Sequence, residues 1–81
     1  MRYYQRRDDI YEIIAKNIKE KRNNKKMTQA QLAEKSGYSH VTIRKIEAYN
    51  INKHISLDTL CNIAEALEVE VSDLLKNNRE I

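Results

Sequence analysis

One glycine and no proline in 81 residues leave the backbone almost without punctuation. Such a chain has few places to break a helix, so helix is the default and each bend has to be found from caps and turns. The single glycine, Gly37, lies within "LAEKSGYSHVTIRKIE" between two stretches with helical spacing of apolar residues. Ser or Thr repeatedly precedes an apolar-periodic run. Thr28 with Gln31 has the spacing of a capping box, and Ser39, Ser56 and Ser72 are the other expected N-caps.

These signals predict five short helices. The first runs from about Asp9 to Asn23 and buries Ile10, Ile14 and Ile18, with Tyr11 and Ile13 alongside. The second (Gln29 to Lys35) buries Leu32 and Ala33, and the third (His40 to Glu47) buries Ile43 and Ile46. The fourth (Leu57 to Leu67) sets Leu57, Leu60, Cys61, Ala64 and Leu67 on one face, and a short fifth carries Leu74 and Leu75. Cys61 reads as a small core residue rather than a redox switch. The expected organisation is an N-terminal extension over 1–9, one all-α domain over 10–77 and a tail over 78–81. "MRYYQRR" reads as a frayed extension of the first helix in preference to a basic arm on phosphate.

Charge is distributed unevenly. Residues 1–26 hold nine Lys and Arg against four Asp and Glu (net +5), residues 27–55 four against two (+2), and residues 56–81 two against six (−4). The first two-thirds suit a polyanion and the last third repels one, although a scattered solvated surface gives a similar count. One cysteine excludes an internal disulfide, and Cys61, His40 and His54 lack metal-ligand spacing, so neither a metal nor a cofactor is expected. Apolar runs of two or three residues exclude a membrane span, and the expected location is cytoplasmic. No nucleophile–base pair, carboxylate pair or phosphate-binding glycine loop points to an enzyme, and no small-molecule ligand is expected.

The link Ser36-Gly37-Tyr38 is too short to join two steeply crossed helices unless one residue takes positive φ. Ala33, four residues earlier, is small enough for a close crossing, and Leu32, Tyr38, Ile43 and Ile46 supply the apolar corner. His40, Val41, Arg44 and Lys45 then lie away from the Ile43/Ile46 face. That pattern describes a helix-turn-helix whose second helix is free to enter a major groove.

"MTQAQLAEKSGYSHVTIRKIE" resembles the Cro/C1-type (XRE) helix-turn-helix family, with its T/S-Q-x-x-L-A-x-x-x-G stretch followed by Ile-x-x-Ile-Glu. The resemblance spans roughly residues 10 to 75, and "SLDTLCNIAEALEVEVSDLL" matches the family's fourth and fifth helices. It implies a five-helix bundle of the lambda-repressor-like type. It also implies a sequence-specific transcription regulator, repressor-like, bound as a homodimer to a palindromic operator in double-stranded DNA. Base contacts are expected from His40, Val41, Thr42, Arg44 and Lys45. Phosphate contacts are expected from Gln29, at a helix N-terminus, and from Ser39, Asn50 and Lys53. Gly37 and Ala33 shape the turn, and Arg22 with Glu47 corresponds to an internal ion pair. A phage-type repressor, a restriction–modification controller and a mobile-element regulator all fit. The alternative class is a protein-interaction module such as an antitoxin. The chain departs from the family after Glu47, where Ala48 and Tyr49 replace the usual glycine and "AYNINKHI" forms a longer loop.

Overall fold

The computed structural model describes residues 7–48 and 55–77. Its helices are α1 (Arg7–Asn24), α2 (Gln29–Ser36), α3 (His40–Glu47), α4 (Leu57–Leu67) and α5 (Val71–Leu75). The bounds of α3 and α4 are those expected from the sequence, and α1 and α2 are slightly longer than expected. Among the described residues the fold is all-α.

Ile14 and Ile18 of α1 meet Leu32 and Ala33 of α2, Ile43 of α3, Leu60, Ile63, Ala64 and Leu67 of α4, and Leu74 of α5 in one core. Ile10, Tyr11, Tyr38 and Ile46 pack around its edge, half-buried. Of the largest side chains, Ile18, Leu32, Ile43, Ile63, Leu67 and Leu74 lose essentially all contact with water. Burial of each stabilises the fold by about 1.5–3 kcal/mol before the entropic cost of ordering. Every helix contributes at least one of these six, so the orientation of α3 is set by the same core that holds the rest.

Two apolar assignments on α4 do not hold. Cys61 is exposed, and Leu57 is 76% exposed. Leu60, Ile63, Ala64 and Leu67 occupy about 100° of helix circumference, and Cys61 stands about 110° from the centre of that arc. Leu57 lies at the arc's margin on a first turn, Ser56 to Asp58, that is exposed as a whole. Ser72 is not the cap of α5 either. The helix begins at Val71 with Glu70 as N-cap, and the Asp73 carboxylate accepts the Glu70 N–H at 3.1 Å. That bond, aided by Lys76, holds the Asp73 carboxyl below its ordinary range.

A buried polar contact absent from the sequence-based expectations ties the two ends of the fold together. Asn17, on the inner face of α1, donates from Nδ2 to the carbonyls of Leu74 (2.9 Å) and Lys76 (2.7 Å). Its sequence signal was a lone amide set between Ile14 and Ile18.

Gly37 has φ 83° and ψ 15°, the left-handed region, and caps α2. Its N–H and that of Tyr38 both donate to the Ala33 carbonyl, at 2.9 and 3.0 Å, which satisfies the end of the helix and turns the chain in one step. A Cβ added at Gly37 would meet nothing within 4 Å. The constraint is therefore on φ and not on space. Gly37→Val should lower stability by about 1–3 kcal/mol, read as a drop in Tm of about 4–8 °C per kcal/mol. An unchanged melting temperature would show that the turn tolerates a side chain.

Glycine does not mark every left-handed residue. Lys26 (φ 57°) and Glu68 (φ 60°) adopt the same region after α1 and α4, a conformation that costs an L-residue roughly 1–2 kcal/mol. Glu68 is also bonded to Lys25, Nζ to Oε1 at 3.1 Å, and that bond and charge hold its carboxyl below the ordinary range. Both partners are solvated, so the pair adds little to stability.

Candidate nucleic-acid interface

Side-chain caps set the first turns of α2 and α3. Thr28 Oγ1 accepts the Gln31 N–H at 3.0 Å while Gln31 Oε1 accepts the Thr28 N–H at 2.8 Å, a complete capping box. Gln29 is thereby the first residue of α2. Ser39 Oγ accepts the Thr42 N–H at 3.0 Å and lies 2.9 Å from Thr42 Oγ1. Both hydroxyls are thus engaged with one another at the start of α3, which bears on the contacts expected of Ser39 and Thr42. The corner between the helices is braced from α4, where Asn62 Nδ2 donates to the Tyr38 hydroxyl at 2.9 Å. No sequence spacing announced that bond.

Helix α3 has two unlike faces. Ile43 is fully buried and Ile46 half-buried. His40, Val41, Arg44 and Lys45 are exposed, Val41 by 46%, and Thr42 is intermediate. An exposed valine beside two cations and an imidazole is a surface able to donate hydrogen bonds, neutralise phosphate and touch a thymine methyl. The expected contacts Asn50 and Lys53 lie outside the described residues, as do Tyr49, Asn52 and His54 in the same loop and residues 1–6 of the basic N-terminal stretch.

Behind that face runs a charged anchor. Arg22 Nε donates to Glu47 Oε2 at 2.7 Å and Arg22 Nη2 to Oε1 at 3.0 Å, a two-point pair whose side chains are 10% and 2% exposed. Arg22 Nη1 donates also to the Met27 carbonyl at 2.7 Å. One guanidinium thus joins the end of α1, the approach to α2 and the last residue of α3. Its planar fork suits this task in a way that a lysine ammonium would not. Gln29 extends the chain of bonds outward: its Nε2 donates to Glu47 Oε1 at 3.1 Å, and its Oε1 lies 3.3 Å from His40 Nε2. Gln29, expected at the sequence level to contact phosphate, has its amide turned toward Glu47 and His40.

A family model described as helix-turn-helix matches residues 18–74. Control protein C.SmaI of Serratia marcescens is 40% identical over 67 residues, which is 83% of this chain and 77% of that protein. The chain belongs to the Cro/C1-type helix-turn-helix family. Two solved structures share the fold of this Cro/C1-type domain. The hypothetical transcription factor NHTF from Neisseria superposes with a TM-score of 0.82 at 28% identity, over 89% of this chain and 79% of the other. The restriction-modification controller protein C.AhdI from Aeromonas hydrophila does so with a TM-score of 0.73 at 25% identity, over 79% and 94%. Cro/C1-type proteins are DNA-binding transcription regulators and not enzymes. Among the described residues of this member, no cluster of His, Cys, Asp and Glu could hold a metal ion, and no helix is long and apolar enough to cross a membrane.

Proposed function

We propose that this protein is a sequence-specific transcription regulator of the restriction–modification controller type. In this reading it binds a palindromic operator in double-stranded DNA as a homodimer, with α3 in the major groove, and represses transcription from that site. The observation that carries the reading is the division of α3. Its inner face is locked by Ile43 and by the Arg22–Glu47 pair, while His40, Val41, Arg44 and Lys45 face outward without contributing to the core. A rigidly held helix with a polar and cationic outer face is what base readout requires. The similarity to two controller proteins, C.SmaI and C.AhdI, supports the choice of class.

Arg44 and Lys45 suit guanine O6 and N7, Val41 a thymine methyl, and Thr42 a base edge through its methyl or hydroxyl. Gln29 and Ser39, at the N-termini of α2 and α3, suit phosphate, joined by Asn50 and Lys53 from the loop beyond α3. A module of this size spans one half-site, so two-fold pairing doubles the contacts on a symmetric operator.

Selection of bound sequences from a random DNA pool, with binding repeated at two salt concentrations, tests the proposal. The expected outcome is a motif with two-fold symmetry and a fall in affinity of about a thousandfold between 50 and 200 mM salt. Sedimentation of the protein with the selected duplex should give two chains per site. No enriched motif, together with a stoichiometric complex formed with the product of a neighbouring gene, would replace this reading by that of an antitoxin-like interaction module.

A further inference from the structure

The hydrogen-bond chain from α1 to the start of α3 has a direction fixed by which atoms can donate. The Glu47 carboxylate can only accept. It takes two bonds from Arg22 and a third from Gln29 Nε2. With its NH2 committed to Glu47, Gln29 turns its Oε1 toward His40 Nε2. An amide oxygen also can only accept, so the proton of this bond sits on His40 Nε2. In the neutral imidazole the other nitrogen, Nδ1, then carries a lone pair. His40 is exposed at the first position of α3, and Nδ1 has no partner among the described residues.

We infer that Glu47, acting through Gln29, presents His40 to DNA as a hydrogen-bond acceptor, so that the neutral ring selects a base carrying an exocyclic amino group. This rests on the reading of α3 as the helix that enters the groove. In the major groove adenine offers N6–H2 and cytosine N4–H2, whereas guanine and thymine offer only acceptors and, on thymine, a methyl group. A lone pair set against O6, N7 or O4 has no proton to share. His40 therefore discriminates amino-bearing from carbonyl-bearing bases at one position of each half-site. Glu47 and Gln29 are positioning residues, since neither has to touch the base for the choice to be made.

Gln29→Lys reverses the polarity of the relay. An ammonium at that position donates to Glu47 and to His40 Nε2, which moves the imidazole proton to Nδ1 and turns that nitrogen from an acceptor into a donor. Nitrogen NMR of the imidazole in the full chain, at a pH where the ring is neutral, reads the tautomer directly. The wild type is expected to be protonated at Nε2 and Gln29→Lys at Nδ1.

Random-pool selection with both proteins reads the consequence. For the wild type, one position per half-site should favour adenine or cytosine by roughly three- to tenfold. Gln29→Lys should turn that position to guanine or thymine while the base preferences at the other positions stay the same whatever its overall affinity, and His40→Ala should flatten it. Protonation at Nδ1 in the wild type overturns the inference, as does an identical base preference in wild type and Gln29→Lys. A merely structural Gln29 would change affinity evenly across all positions, which also overturns it. If the wild type selects no motif, the proposed function falls and takes the base reading with it, while the tautomer still shows whether Glu47 and Gln29 orient the ring.

Discussion

Replacing Arg44 and Lys45 together with alanine should weaken operator binding by at least about a hundredfold and leave the helical circular-dichroism spectrum intact. Each well-placed cation–guanine contact is worth about 1–3 kcal/mol of discrimination, and a tenfold change in affinity is about 1.4 kcal/mol. Two such residues on each half-site carry the expected loss to a hundredfold or beyond. The fold should survive because both side chains are exposed while Ile43 and Glu47 fasten the opposite face. A small stability decrease is expected, since both cations lie in the last turn of α3 and complement its dipole, worth about 0.3–1 kcal/mol each at low salt. Fluorescence anisotropy with the selected duplex decides the matter. Affinity within about threefold of wild type, where each lost contact should cost about 1 kcal/mol or more, would remove α3 from the interface.

The largest stability effect is expected at Glu47. Glu47→Ala leaves the Arg22 guanidinium buried with only the Met27 carbonyl as a described acceptor. Breaking a buried pair by removing one partner costs about 3–5 kcal/mol, and the surviving Met27 bond puts this case at about 3 kcal/mol. Against a total stability of about 5–15 kcal/mol for a small domain, that is a large fraction, visible as an early urea midpoint. Replacing both partners with apolar residues, Arg22→Met with Glu47→Leu, should recover most of the loss, because the desolvation penalty of both charges disappears with the pair. The recovered variant should show a weakened base preference at the position that His40 reads, since Gln29 would have lost the acceptor that aims it. A Glu47→Ala midpoint corresponding to less than about 1 kcal/mol, the range of solvated ion pairs, would mean that the pair behaves as a surface contact.

The residues that announced themselves in the sequence were those whose role is local. Ser39 and Ser56 stand directly before the helices they cap, and the bounds of α3 and α4 match the expectation. Gly37 marks a positive φ because it is the one residue that adopts it without strain. What escaped notice depends on partners far along the chain or on backbone choices without a compositional marker. Lys26 and Glu68 enter the left-handed region although nothing about a lysine or glutamate signals it. Cys61 and Leu57 looked apolar enough for the core, but helix rotation and an exposed first turn put them outside. In the candidate interface, the exposure of His40, Val41, Arg44 and Lys45 followed from periodicity. The direction of the Gln29 amide did not, because it is set by Glu47 on another helix.

The Asn17 clamp bears on how the protein holds together as a cooperative object. Five residues make too short a helix to persist in water, so α5 exists because α1 receives it. The side chain that does so reaches 57 positions along the chain to the Leu74 carbonyl, beside the core that Ile14 and Ile18 share with Leu74. Order at the far end of the domain is thereby conditional on order near its beginning. The α2–α3 corner instead joins neighbours in sequence through Gly37, Tyr38 and Ser39. The domain thus combines a long-range closure, opened by any loss of α1, with a locally wired reading head.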